Sequence, residues 1–258
     1  MKHDNLMAMI TPIRVLADNG PMKVELARWE GKLVVIKELR GGSSSLANRL
    51  GREAAVVTFL EHENIVPLLA VQDMSLIFSY CPGVSLEEAL DKGTFSLERS
   101  AKIATDVLHA LAYAHENDVI HCDVKPSNIL INGEKALLTD FGFAKDLALA
   151  AITQQGMSLG TPNYMPPEQF AGERRDPRSD LYAVGAVLYH MVTGGPPYGK
   201  NVFRFLMGDP TVELEALPND AAPLVPVISK ALSHNPCERY SSAEEMLSAL
   251  SQALLVTV

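Results

Sequence analysis

Apolar and polar positions alternate with period two along the first part of the chain and then change to a helical spacing. Val24 and Leu26, and again Val34 and Ile36, recur at every second position within residues 23–28 and 32–37, with a turn at Glu30-Gly31 between them. Side chains two apart share one face of a strand, so this alternation predicts a half-buried antiparallel sheet. Residues 13–16 supply a strand ahead of these two, and residues 64–71 and 76–80 supply two more, which makes five. Residues 40–45 read as a flexible Gly/Ser linker. From Leu46 or Arg52 to Leu60, Glu53, Val56, Val57 and Leu60 fall at offsets 0, 3, 4 and 7, which predicts a helix carrying a carboxylate above an apolar stripe. Cys81-Pro82-Gly83 reads as a hinge, and beyond it the pattern is helical.

A short helix is predicted over residues 86–90. Residues 97–115 carry Ala101, Ala104, Val107, Leu108, Leu111 and Ala114 on one helical face, with Ser96 placed to cap the start. Residues 181–192 form an apolar helix broken by Gly194-Gly195-Pro196-Pro197, and apolarity around so much of its circumference implies burial at the centre of the helical part. Two further helices are expected around residues 223–233 and 243–254, the latter with Ser241 and Glu244 at capping-box spacing. Residues 143–165 have no clear periodicity, and a loop that long is uncommon unless it serves a site.

Composition narrows the function classes. The chain has 258 residues, 47% of them apolar, enough to bury a large core in one domain or two lobes. Asp and Glu number 31 against 22 Lys and Arg, a formal net charge of -9, and a field of that sign does not favour non-specific nucleic-acid binding. Cys81, Cys122 and Cys237 are odd in number and far apart, as expected of reduced thiols in a cytoplasmic chain. No run reaches the ~18–20 apolar residues that span a bilayer, and the start lacks the regions of a signal peptide. Residues 1–12 read as a short N-terminal extension.

The chemistry concentrates in His121-Cys122-Asp123-Val124-Lys125-Pro126-Ser127-Asn128, followed twelve residues later by Asp140-Phe141-Gly142. Two carboxylates, an amide and a lysine beside short apolar runs are a set that could surround a polyphosphate and its metal ions. These residues resemble the catalytic loop and metal-binding motif of the eukaryotic-type (Hanks-type) serine/threonine protein kinases, here a bacterial member. The resemblance implies an α+β, bilobal protein-kinase fold: a small five-stranded antiparallel lobe with one main helix over residues 13–81, and a mainly helical large lobe over 82–258. It implies ATP and Mg2+, with Mn2+ as a substitute, and a protein substrate whose Ser or Thr hydroxyl is phosphorylated.

Roles follow position by position from the resemblance. Asp123 is the base, Lys125 neutralises the moving phosphoryl group, and Asn128 and Asp140 hold the metal. Lys37, at the end of Val34-Val35-Ile36-Lys37, meets the first phosphates, and Glu53 fixes it. Val35 stands over the adenine ring, and Val24 and Leu130 are further nucleotide-binding positions. Phe78 guards the rear of the pocket, and the backbones of Ser79 and Cys81 meet the adenine edge. Thr161, in Gly160-Thr161-Pro162-Asn163-Tyr164-Met165-Pro166-Pro167-Glu168, belongs to the substrate-docking segment. His121, Phe141, Glu168, Asp180 and Arg239 are structural: His121 packs on Phe141, Asp180 orients the catalytic loop, and Arg239 pairs with Glu168.

Two departures stand out. Ala17, Asn19 and Met22 occupy the three positions of the family's glycine-rich loop, which loosens or displaces the roof over the phosphates. Cys122 replaces the arginine before the catalytic aspartate, so a phosphate on the activation segment loses a bidentate partner and activity should not depend strongly on phosphorylation of Thr153 or Ser158. A nucleotide-binding pseudokinase or scaffold and a small-molecule phosphotransferase are the alternative functions.

Overall fold

The structure is a computed structural model that describes residues 9–18, 22–40, 59–72, 74–141, 162–173 and 176–255. The chain divides into two compact units, Met1–Pro82 and Gly83–Val258.

The first unit is built on β1 (Ile10–Asp18), β2 (Met22–Trp29), β3 (Lys32–Leu39), β4 (Leu68–Gln72) and β5 (Ser75–Ser79), paired antiparallel in the order β1-β2-β3-β5-β4. Glu30 and Gly31 close the β2–β3 hairpin, with Trp29 opposite Lys32 and φ of +49° and +79°. A two-residue hairpin turn of this kind needs left-handed backbone at both positions, which suits the glycine. The register puts the two apolar alternations on opposite faces. Val34 and Ile36 pack with Ala27 and Ile77, while Val24 lies opposite Lys37 and Leu26 opposite Val35. β3 therefore carries apolar residues on both faces rather than one.

β1 starts at Ile10, so residues 10–12 belong to the sheet and not to an extension ahead of it. It is an edge strand, exposed at every position after Ile10, and Pro12 is tolerated there because an edge strand can spare an N–H. β4 starts at Leu68, four residues later than the pattern suggested. Of the helix expected to end at Leu60, only Phe59 and Leu60 lie among the described residues, and neither is helical.

The second unit opens with β6 (Val84–Ser85), α1 (Leu86–Leu90) and α2 (Leu97–Glu116). Ser85 and Glu88 form a reciprocal capping box on α1, and Ser96 accepts from the Arg99 N–H at the start of α2. β7 (Ile129–Asn132) and β8 (Lys135–Leu138) form a hairpin that pairs with β6. Gly83 approaches it so closely that a Cβ there would lie 2.2 Å from the Ile131 carbonyl oxygen, at a φ of +141°.

The helices α3 (Pro167–Phe170), α4 (Arg178–Thr193), α5 (Val202–Leu206), α6 (Val225–Ala231) and α7 (Ala243–Leu255) complete the unit. Every residue of α4 from Ser179 to Tyr189 is buried, as its all-round apolar sequence requires. α4 packs closely on α6: a Cβ at Gly185 would come 2.6 Å from that of Ala231. The cap of α7 is one residue later than the expected Ser241/Glu244 pair. Ser242 accepts from the Glu245 N–H at 3.3 Å, and the Glu245 carboxylate reaches back to the Ser241 N–H at 2.7 Å. The sequence Ser241-Ser242-Ala243-Glu244-Glu245 offers the same spacing in two registers, and packing of Ala243, Met246 and Leu250 selects the second. The fold is thus α+β, and among the described residues no helix is long and apolar enough to cross a membrane.

Candidate active site

After Glu116 the chain leaves α2 and returns through an irregular segment to the 3-10 turn Pro126–Asn128. Proline at the first position of that turn costs no hydrogen bond, since the N–H would be unpaired there. Within the segment Cys122 has φ +63°, a left-handed conformation uncommon for a residue with a side chain. Its N–H donates to Asp180 Oδ1 at 2.7 Å and that of His121 to Asp180 Oδ2 at 2.9 Å. Asp180, in the first turn of α4, is only 1% exposed, and its carboxylate thus fixes two consecutive peptides of the loop.

His121 is fully buried and tied to three neighbours. Its Nδ1 accepts from the Asp123 N–H at 3.2 Å, its Nε2 lies 2.9 Å from the Thr139 carbonyl oxygen, and its ring packs 4.5 Å from that of Phe141. A carbonyl only accepts, so Nε2 carries the hydrogen and Nδ1 is free to accept, which describes a neutral imidazole with both nitrogens engaged. This leaves His121 a bracing role between loop and hairpin.

The Asp123 carboxylate is held on the same oxygen by two cationic or polar donors. Lys125 Nζ lies 2.8 Å from Asp123 Oδ2, and Asn128 Nδ2 donates to that oxygen at 3.0 Å and to the Asp123 carbonyl at 2.8 Å. With its nitrogen turned onto Asp123, Asn128 presents Oδ1 as its other polar atom. The hairpin then brings Asp140 to the same end. Ile129 pairs with Leu138, the Thr139 N–H donates to the Asn128 carbonyl at 3.0 Å, and Asp140 follows with φ +67°. Leu130 and its partner Leu137 point away from the buried pair Ile129 and Leu138.

Among the described residues no three His, Cys, Asp or Glu cluster as a metal cage. Two hard oxygens from Asn128 and Asp140 nevertheless fit Mg2+, which keeps most of its coordination for water and phosphate and takes only one or two protein ligands.

Asp106, on α2, is 4% exposed and accepts the Ala136 N–H of β8 at 2.9 Å. Farther on, Glu168 and Arg239 form a bidentate pair at 2.7 and 2.8 Å, with Ser179 Oγ donating to Glu168 at 2.7 Å. Burial pushes the Glu168 carboxyl up, but the hydrogen bonds from Arg239 and Ser179 outweigh it and hold it below the usual range. Tyr164 joins this region to α4 through a 2.6 Å bond to His190 Nδ1, a contact with no signal in the sequence reading. Burial lowers the His190 imidazole and raises the Tyr164 phenol, which keeps both neutral.

In the first unit, Val24, Val35, Lys37 and Phe78 share one face of the sheet, since Val24 pairs with Lys37 and Val35 with Phe78. Lys37 Nζ stands 5.5 Å from the centre of the Phe78 ring, within cation–π range. The Ser79 N–H donates to the Pro67 carbonyl at 2.9 Å, and the Cys81 thiol lies 3.6 Å from the Pro82 carbonyl oxygen. None of the three cysteines is in a disulfide. Glu53, Gly142 and Thr161 lie outside the described residues.

A family model described as the protein kinase domain matches residues 20–250. The serine/threonine-protein kinase PknB of Mycobacterium tuberculosis is 32% identical over 255 residues, which is 90% of this chain and 41% of that protein. PknJ of Mycobacterium bovis is 32% identical over 246 residues, covering 89% and 42%, and PknB of Mycolicibacterium smegmatis is 33% identical over 255 residues. The chain spans about two fifths of the length of these curated relatives. Among solved structures, a cysteine-to-alanine variant of the Mycobacterium tuberculosis PknI kinase domain matches with a TM-score of 0.76, 25% identity and 96% coverage of both chains.

Proposed function

Because this chain belongs to the protein kinase domain family, in its bacterial Hanks-type serine/threonine branch, we propose that it transfers the terminal phosphoryl group of ATP to Ser or Thr hydroxyls of protein substrates. The observation that carries the reading is the Asp123 carboxylate fixed by Lys125 and Asn128 on a loop whose backbone is pinned to buried Asp180.

Phosphoryl transfer asks the protein for position and charge compensation rather than covalent chemistry. Asp123 accepts a hydrogen bond from the incoming hydroxyl and takes its proton late in transfer. Lys125, already beside Asp123, moves its charge onto the migrating phosphoryl group, and Asn128 and Asp140 hold the metal. Mg2+ bound by these two residues supplies neutralisation of the phosphate oxygens. Lys37 binds the first phosphates and Glu53 fixes Lys37, while Val24, Val35 and Leu130 are further nucleotide-binding residues. Phe78 limits the depth of the adenine pocket, and the backbones of Ser79 and Cys81 meet its edge. Thr161 lies with the peptide. The pinned loop supports this arrangement because preorganised donors cost no rearrangement during reaction.

Incubation with labelled ATP and Mg2+, with protein and small-molecule products separated, tests the proposal. Acid hydrolysis of labelled protein should yield phosphoserine or phosphothreonine. Nucleotide binding without any phosphoprotein would point to a scaffold, and label on a metabolite would point to a small-molecule phosphotransferase; either result would overturn it.

A further inference from the structure

We infer that Phe78 is a positioning residue for Lys37: the face of its ring holds the lysine ammonium group by cation–π attraction, so that Phe78 acts on the phosphates as well as on the adenine pocket. The inference rests on the transfer reading above and gives Phe78 a second role within it.

Strand register brings the two residues together. β5 lies between β3 and β4, and Phe78 is paired with Val35 on one side and with Leu68 on the other. Lys37 follows Val35 at the next position on the same face of β3, which makes it the diagonal neighbour of Phe78. Such neighbours stand roughly 7–8 Å apart, within reach of an aromatic ring and a long side chain. Lys37 Nζ is found 5.5 Å from the ring centre. Phe78 is 3% exposed and Leu68 4%, so the ring is held within the sheet, whereas Lys37 is half-buried on a flexible four-carbon stem. The ring is the fixed member of the pair, and the ammonium is the one that is steered.

This contact suits a residue that must bind phosphate. A phenyl face attracts a cation through its quadrupole but has no net charge. It therefore fixes the ammonium without cancelling the field that the phosphates feel. Ala17, Asn19 and Met22 stand where glycines would let backbone amides approach the phosphates, which places more of the grip on Lys37. Without the ring's attraction the stem samples further rotamers, and these are given up when a phosphate binds.

The test replaces Phe78 in the whole protein by mono-, di- and trifluorinated phenylalanine, which weakens the negative face of the ring stepwise at nearly constant size. Dissociation constants are measured for ADP with Mg2+ and for adenosine. ADP affinity should fall with each added fluorine, by about fivefold for the trifluorinated ring, while adenosine, which has no phosphate, stays within about twofold. In a Lys37→Met background the ratio of the two affinities should no longer depend on fluorination. An ADP affinity indifferent to fluorine, equal losses for ADP and adenosine, or the same dependence in Lys37→Met would assign the ring to packing alone and overturn the inference. A parent that shows the fluorine dependence but transfers no phosphoryl group would overturn the function proposed above and leave the inference standing.

Discussion

Replacing Arg239 with alanine separates charge from packing in the second unit. The Arg239 side chain is fully buried and its partner Glu168 is 7% exposed, with two hydrogen bonds of 2.7 and 2.8 Å between them. The guanidinium also donates to the Ser233 and His234 carbonyls at 2.8 and 3.0 Å and lies 4.9 Å from the Tyr182 ring centre. Arg239→Ala leaves Glu168 as a buried anion with Ser179 as its side-chain donor, and removing one member of such a pair costs about 3–5 kcal/mol. With a urea slope of about 2 kcal/mol per molar, the midpoint of the helical transition at 222 nm should fall by roughly 2 M at pH 7.

The pH dependence has a definite sign. Glu168 in the folded protein sits below its ordinary value, so it binds fewer protons folded than unfolded, and its stabilisation is present above the unfolded pKa of about 4.3 and lost as pH falls through the folded value. In Arg239→Ala, burial is opposed by Ser179 without the arginine, so the folded carboxyl takes up a proton more readily. The stability gap between parent and variant should therefore narrow as pH falls from 7 toward 4. A gap below about 1 kcal/mol at pH 7, the range of an exposed pair, would refute the buried-pair account. A gap of constant size across the pH range would assign the loss to the missing Tyr182 and carbonyl contacts rather than to the stranded charge.

Three further outcomes are expected. Gly185→Ala should destabilise the second unit by about 1–3 kcal/mol in the same urea assay, because its Cβ meets that of Ala231 in the α4–α6 contact. Lys125→Met should lower kcat about 10²-fold with little change in the KM for ATP, as expected when a charge that stabilises the transition state is removed. Alanine at both Thr153 and Ser158 should leave turnover within about tenfold of the parent, because Cys122 replaces the arginine that would bind a phosphate bidentately.

Much of this was legible where periodicity and pair chemistry are strong. The existence of five strands, α2 with its Ser96 cap and the apolar α4 follow the pattern, and the Glu168–Arg239 pair is the one that the family resemblance implied. What escaped depends on backbone angles or on partners distant in sequence. Nothing in the residue names marks Cys122 and Asp140 as left-handed. Asp106 and His115 are polar residues of α2, and only the arrival of β8 and α4 shows what they bind, the Ala136 N–H and the Asp180 carboxylate. β1 hid its start because an exposed edge strand need not alternate, and the α7 cap was ambiguous because two serines precede two glutamates at equal spacing.

The most direct measurement is kcat for transfer from ATP to a protein hydroxyl at saturating Mg2+, for the parent, Asp123→Asn and Asp140→Asn, with nucleotide affinity determined separately for each. The account predicts that Asp123→Asn binds nucleotide as the parent does but loses at least about 10²-fold in kcat, as removal of a general base entails. It predicts that Asp140→Asn loses both turnover and the Mg2+ dependence of nucleotide binding. Turnover undiminished in either variant would contradict the assignment of base and metal ligand on which everything above depends.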